Sequence, residues 1–452
     1  MVYSEQQQVS MTSRLDRRDL IKGIGAAGIV GLAGCSGDGG DGGDGGDGGS
    51  GDGGDGGDGG DGGSGDGGDG GDGGRTINMG MLMGVTGGLE QLGPPIRDAA
   101  SLVPQQINDA DAAVSVETQF EDTGTDPTQG VSGAEALVNA GYPMVVGALS
   151  SAVTLQTAQN VCIPNEVVQM SPASTTPDLT DLDDNDFVFR TTPGDAQQGA
   201  VLARIASERL DASSASVLYL NNAYGSGLAD GFAEAFENQF DGTVPAQVSF
   251  EAERSSYTSQ LDSVLADDPD TFLVVGYPAS GVQIFRDFYA NYDGDMPVLV
   301  ADGLQDSALP GDVGQDMSNV SGTAPSGQGP GLETFNSLYS EAFDADPAGQ
   351  PFIKQAYDAA AALVLANAAA GENAGTAVRD SLRPVTSSGG TEVTADNLVE
   401  GVEMAANGEE VNYQGVSGNI EFDENGDLAS ASYDYFEFSS DGLEVVDSVT
   451  PP

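Results

Sequence analysis

From residue 75 onward, hydrophobic and polar positions follow two alternating rhythms. Short, nearly continuous apolar runs at 77–85, 114–120, 144–147, 167–170 and 187–190 predict strands. Between them, apolar positions recur every three or four residues at 95–108, 128–139 and 151–161, which predicts helices. The pattern then restarts. A helix is expected at 196–210, a strand at 215–220 and a helix at 227–239. Strands at 247–250, 271–275 and 297–300 follow, separated by helices near 256–266 and 280–291. Two long helices, 352–370 and 395–407, should return to the first set of strands, and strands near 433–438 and 443–447 should rejoin the second.

Short apolar strands linked by helices imply parallel sheets covered on both faces. Two such sets in succession imply an α/β fold of two Rossmann-like lobes joined by a multi-strand hinge. Residues 75–194 with 326–430 are expected to form lobe one, and 195–325 with 431–452 lobe two. Ligands of such sheets bind beyond the carboxyl ends of the strands, so two facing lobes leave one cleft between them.

The first 74 residues do not share this pattern. Arg17 and Arg18 precede a short apolar stretch from Ile21 to Ala33, which ends in Leu32-Ala33-Gly34-Cys35. This resembles a twin-arginine export signal closing on a lipobox, and it implies lipid attachment at Cys35 and an extracytoplasmic location on the outer face of the cell membrane. The apolar stretch is too short to span a bilayer comfortably. Residues 23–28 match GxGxxG, but no strand precedes them, so a dinucleotide site is excluded. Residues 36–74 repeat Asp-Gly-Gly, which cannot build a core and reads as a disordered tether. The repeat lacks the aliphatic residue that calcium-binding repeats require.

Composition narrows the function. The chain carries 71 acidic against 14 basic residues, with no His and no Trp. Nucleic acid is excluded as a partner because phosphates need a basic footprint. A surface this acidic suits a salt-loving source, where molar salt screens charge to within ~3 Å. Without His there is no Ser-His-Asp triad and no histidine metal site. No GxxxxGK[ST] sequence occurs, which excludes an ATPase subunit. No cofactor and no metal are expected. The two cysteines, Cys35 and Cys162, fall in the signal and in a helix, so no disulfide is expected. Asp423 to Asp427 has some of the acidic spacing of a calcium loop but lacks its glycine at the sixth position, where Leu428 stands, so a β-turn is expected there.

Six stretches in order resemble the leucine/isoleucine/valine-binding family, the type I periplasmic binding proteins of ABC importers, here in a haloarchaeal lipoprotein form. They are Ile77-Asn78-Met79-Gly80 with Thr86-Gly87-Gly88-Leu89; Glu121-Asp122 with Asp126-Pro127; Gly147 to Ser151; Met170 to Thr180; Tyr224 to Gly227; and Gly418 to Asp423 with Gly426-Asp427-Leu428. The resemblance implies a binding protein rather than an enzyme. A free amino acid would be held by Ser151 and Thr175 at its carboxylate and by the Ala173 carbonyl, Thr175 and Asp302 at its ammonium. Tyr224 would close over it from the second lobe, and Tyr277 would line the same cleft. The implied partners are an amino-acid-like solute, ABC permease subunits and the membrane through the lipid, with the protein itself a monomer.

The sequence also departs from the family. Leu92 stands where an aromatic ring often packs on the ligand, Asp302 is one carbon shorter than the usual glutamate, and a disulfide common in bacterial members has no counterpart. Amides, urea or aromatic acids therefore stay open as ligands. A ligand-sensing receptor module on the same fold stays open too, as does, more remotely, an acid-using glycosidase.

Overall fold

The computed structural model describes residues 74–452 apart from Asp111 and Asp441. The export signal, Cys35 and the repeat up to residue 73 lie outside the described residues.

The first sheet is parallel throughout, in the order β2-β1-β3-β4-β5. Its strands are β1 (Arg75–Met83), β2 (Val114–Asp122), β3 (Met144–Gly147), β4 (Val168–Ser171) and β5 (Val188–Arg190). Every residue of β3, β4 and β5 is buried, so the strands are covered on both faces, with Gln169, Ser171 and Arg190 as their buried polar members. The second sheet adds β6 (Ala215–Leu220), β7 (Gln247–Phe250), β8 (Thr271–Val275), β9 (Val298–Val300) and β10 (Val320–Pro325). Two antiparallel strands, β13 (Tyr433–Ser439) and β14 (Gly442–Val449), complete its order β14-β13-β10-β9-β8-β6-β7. A small parallel pair, β11 (Thr391–Val393) and β12 (Val411–Tyr413), stands apart from both.

Two α/β lobes result, and the chain passes between them after β5, after β10 and before β13. On the second passage it returns to the first sheet. The helix Ile353–Ala370 packs on the helix Gly93–Asp109 and reaches β1, β3 and β4. Nearly all of its positions as far as Ala368 are buried, and its nine alanines let it approach those neighbours closely. Among the described residues no helix is long and apolar enough to cross a membrane.

Most expected elements occur within a few residues of their expected ends. The helix expected at 151–161 is α-helical only over Ser151–Thr157 and continues as a wider π turn over Ala158–Cys162. Thr157 marks the change, its hydroxyl bonding back to the Val153 and Thr154 carbonyls. The helix expected from 227 begins at Ala223, because Asn222 caps it by accepting from the Gly225 amide at 2.8 Å. The segment 423–427 folds as a turn, with the Gly426 amide bonded to the Asp423 carbonyl and a bridge between Phe422 and Leu428. Strand β10 and the helices Leu332–Phe343 and Gly375–Thr386 had no counterpart in the sequence pattern.

One glycine fixes the approach to the cleft. Gly147 ends β3 with φ +127°, and a Cβ there would lie 1.8 Å from the Leu82 carbonyl oxygen. Gly147→Ala is expected to lose stability by at least roughly 1–3 kcal/mol, the cost of a strained backbone residue, measured by denaturant unfolding in molar salt.

Candidate functional site

The loops that leave the carboxyl ends of the two sheets converge on one cavity of about 330 Å³. From the first lobe, the loop after β3 supplies Leu149 and Ser151, and the loop after β4 supplies Ala173. From the second, the segments after β6, β8 and β9 supply Tyr224, Tyr277, and Asp302 with Gly303. Leu89, Leu92, Ile96, Leu149 and Phe352 make an apolar wall.

Ser151 is the first residue of the helix Ser151–Thr157, and its Oγ accepts the Thr175 amide at 3.3 Å. The Thr175 backbone is held on its other side as well, since its carbonyl accepts the Asp195 amide at 2.8 Å. Neighbouring Ser174 donates to the Leu149 carbonyl at 3.1 Å, tying this loop to the one after β3. The Thr175 hydroxyl, fully buried, has no hydrogen-bond partner.

The second lobe closes over these groups. The Tyr224 hydroxyl donates to Asp302 Oδ1 at 3.3 Å and accepts the Gly303 amide at 3.2 Å. Its ring stacks on that of Tyr277, with centroids 5.6 Å apart and planes 3° from parallel. The Tyr277 hydroxyl reaches Ser150 Oγ at 3.3 Å, a direct bond from one lobe to the other.

Five of the six expected residues, Ser151, Ala173, Tyr224, Tyr277 and Asp302, thus line one cavity. Thr175 stands beside it, bonded to Ser151. Cys35 lies outside the described residues.

Two further residues belong with this group and were not anticipated. Asp195 opens the helix Asp195–Glu208, is fully buried, and has no hydrogen bond to either carboxylate oxygen. Desolvation drives its pKa well above the usual carboxylate range; the nearby Thr175 hydroxyl eases this and the Asp302 charge adds to it. Asp302 is likewise pushed up by desolvation, to about 6, with partial relief from Gln198, its own backbone and Tyr224. Among the described residues no ion pair reaches either acid. In a chain with 71 acids nothing in the sequence singles out Asp195. Phe352, the other addition, sits at φ +62° ahead of the helix Ile353–Ala370 and supplies an aromatic ring to a wall where Leu92 does not.

A second hollow of about 500 Å³ lies at the chain crossings, lined by Thr191, Ser326 and Ser432 among others; it holds no charged side chain and none of the expected residues. Among the described residues no group of three or more acids or cysteines could hold a metal ion.

The family model described as "Periplasmic binding protein" matches residues 76–442. The chain is 28% identical over 307 residues to the chemotactic signal transduction system substrate-binding protein BasB of Halobacterium salinarum, covering 67% of this chain and 71% of that one. It is 27% identical over 370 residues to Leu/Ile/Val-binding protein homolog 3 of Brucella melitensis, covering 80% and 91%. Among solved structures it resembles the branched-chain amino acid transporter substrate-binding protein LivJ of Streptococcus pneumoniae in complex with isoleucine. That likeness has a TM-score of 0.68 at 21% identity and covers 83% of this chain and 100% of that one.

Tyr277→Phe removes the bond between the lobes but keeps the stacked ring. The expected cost is about 0.5–1.5 kcal/mol of closure, read as roughly two- to tenfold weaker ligand binding with an unchanged unfolding midpoint.

Proposed function

The chain belongs to the periplasmic binding protein family, and we propose that within it the chain captures a free branched-chain or related amino acid for an ABC importer. The observation that carries this reading is the pair of buried acids, Asp195 and Asp302, without a cationic partner, set near Ser151 and an aliphatic wall. A ligand that complements this cavity carries an ammonium group, a carboxylate and an apolar side chain. Ser151, at the positive end of a helix, suits the carboxylate. Asp195, Asp302 and the Thr175 hydroxyl suit the ammonium, in charge-assisted bonds that are strong in a closed, poorly solvated cavity. Leu89, Leu92, Ile96, Leu149 and Phe352 suit an aliphatic side chain.

The mechanism is a hinged trap. Solute docks on the first lobe, and Tyr224 and Asp302 then close on it, since contacts made only in the closed form favour that form. The catch is a binding step with no bond made or broken, in keeping with a family of solute-binding proteins. A lipid on Cys35 would hold the protein on the outer face of the membrane of a salt-loving cell. The 36–74 segment would act as a tether, and a monomer would be presented to the permease at raised effective concentration. The similarity to a chemotactic substrate-binding protein favours a second reading, in which the closed lobes address a transducer instead of a permease. The capture site is the same in both.

The decisive experiment is calorimetric titration of the full chain in molar salt with L-leucine, L-isoleucine and L-valine, and with benzoate and urea. Binding is expected for the aliphatic amino acids. Asp195→Asn and Asp302→Asn are each expected to weaken it by about 2–5 kcal/mol, the cost of removing one partner of a buried charge pair. Heat from benzoate or urea alone would reject the amino-acid reading.

The pH dependence has a definite sign. In the free protein Asp302 titrates near 6, and Asp195 is also raised. A bound ammonium favours both carboxylates, so binding near pH 6 is expected to release protons. Affinity should fall by roughly tenfold per unit as the pH drops below about 6. Titrations in buffers of different ionisation enthalpy measure both effects.

A further inference from the structure

Arg190 ends β5 and is almost completely buried, yet it is not among the residues lining the cavity. Its Nε donates to Asp427 Oδ1 at 2.6 Å and its Nη2 to Asp427 Oδ2 at 2.8 Å. Asp427 lies 237 residues later, in the turn between Phe422 and Leu428. That turn is fastened to β5 by the Arg190 amide, which donates to the Gly426 carbonyl at 3.1 Å. Gly426 has φ +77°, and a Cβ there would stand 2.3 Å from the Val188 carbonyl oxygen, so the turn approaches the strand as only glycine allows. Thr180 completes a ring of bonds, accepting from Arg190 Nη2 at 2.8 Å and donating to Asp427 Oδ2 at 2.7 Å.

The remaining arm of the guanidinium points elsewhere. Nη1 donates to the Thr176 carbonyl at 3.0 Å and to the Ser174 carbonyl at 3.5 Å. These two carbonyls flank Thr175. With the Thr175 amide on Ser151 and its carbonyl on the Asp195 amide, the backbone on each side of that residue is fixed. The Thr175 hydroxyl alone is left without a partner.

We infer that Arg190, gripped by Asp427, is a positioning residue for ligand capture: it sets the 174–180 loop so that Thr175 presents its hydroxyl beside Asp195. The inference rests on the reading of the cavity as the capture site. A planar fork with five donors is needed to hold a carboxylate on two prongs and two carbonyls on a third; a lysine, a single point charge, cannot do so.

The test uses the full chain in molar salt with two variants, Arg190→Lys and Asp427→Asn. Amide hydrogen exchange is followed by mass spectrometry without ligand, and L-leucine affinity by calorimetry. Positioning is expected to show as faster exchange confined to peptides spanning 172–180, with leucine affinity at least tenfold weaker in Arg190→Lys. A purely structural role would instead spread faster exchange over β1 to β5, and that result overturns the inference. So does unchanged exchange in the loop, or unchanged leucine affinity in a folded variant. Should Arg190→Lys fail to fold, Asp427→Asn decides, since it keeps the arginine and removes one acceptor. If the wild-type chain binds no amino acid, the capture reading falls, and the exchange result still decides whether Arg190 sets the loop.

Discussion

Two carboxylates buried in one small space, with no arginine or lysine paired to either among the described residues, set the terms for the rest of the cavity. Desolvation disfavours both charges, and the Asp302 charge makes that of Asp195 harder to bear. Partial relief comes to Asp195 from the Thr175 hydroxyl and, without direct pairing, from the Arg190 charge, and to Asp302 from the Gln198 side chain, its own backbone and the Tyr224 hydroxyl. Closing the lobes over such a pair without a cation is therefore opposed. The Tyr277 to Ser150 bond gives only modest help in closing. In the proposed capture reaction the ligand's ammonium supplies the missing charge, so closure is coupled to the arrival of the right solute. Arg190 is the nearest strong cation in this neighbourhood, and it is fully engaged by Asp427 and two carbonyls.

The sheets explain why these groups meet. Parallel strands deliver every loop at their carboxyl ends to the same edge. In the first lobe that edge carries Ser151 and Thr175; in the second it carries Tyr224, Tyr277 and Asp302. Asp195 is the exception. It opens the helix that follows the first passage between lobes, so it belongs to the crossing itself and bonds through its amide to the Thr175 carbonyl of the other lobe. Phe352 plays a comparable part at the start of the long helix Ile353–Ala370.

Much of this was legible from the sequence, for physical reasons. Strands buried on both faces leave mainly apolar runs, so β3, β6 and β8 were read to their exact ends. Strand β10 was missed because Gly322 and Pro325 interrupt its run, and Gly322 is there because the Val300 carbonyl and the Phe436 ring leave no room for a side chain. The helix Gly375–Thr386 was hidden by Pro384 in its last turn. At the site, the resemblance of short stretches to the leucine/isoleucine/valine-binding family indicated Ser151, Tyr224 and Asp302. Asp195 was invisible against a background of 71 acids, because what distinguishes it is burial without a partner, which no linear pattern records. Arg190 and Asp427 were equally silent, as a pair formed across 237 residues leaves no local spacing to read.

The late return of β13 bears on how the molecule is made. The second sheet receives its last two strands only after more than a hundred residues beyond Pro325 have built much of the other lobe. Because β13 lies against β10, the inner edge of that sheet stays uncovered until residues 433–439 arrive. Neither lobe can therefore mature on the ribosome independently of the other, and the long loop that must close before β13 docks makes this the slow and aggregation-exposed stage of biogenesis.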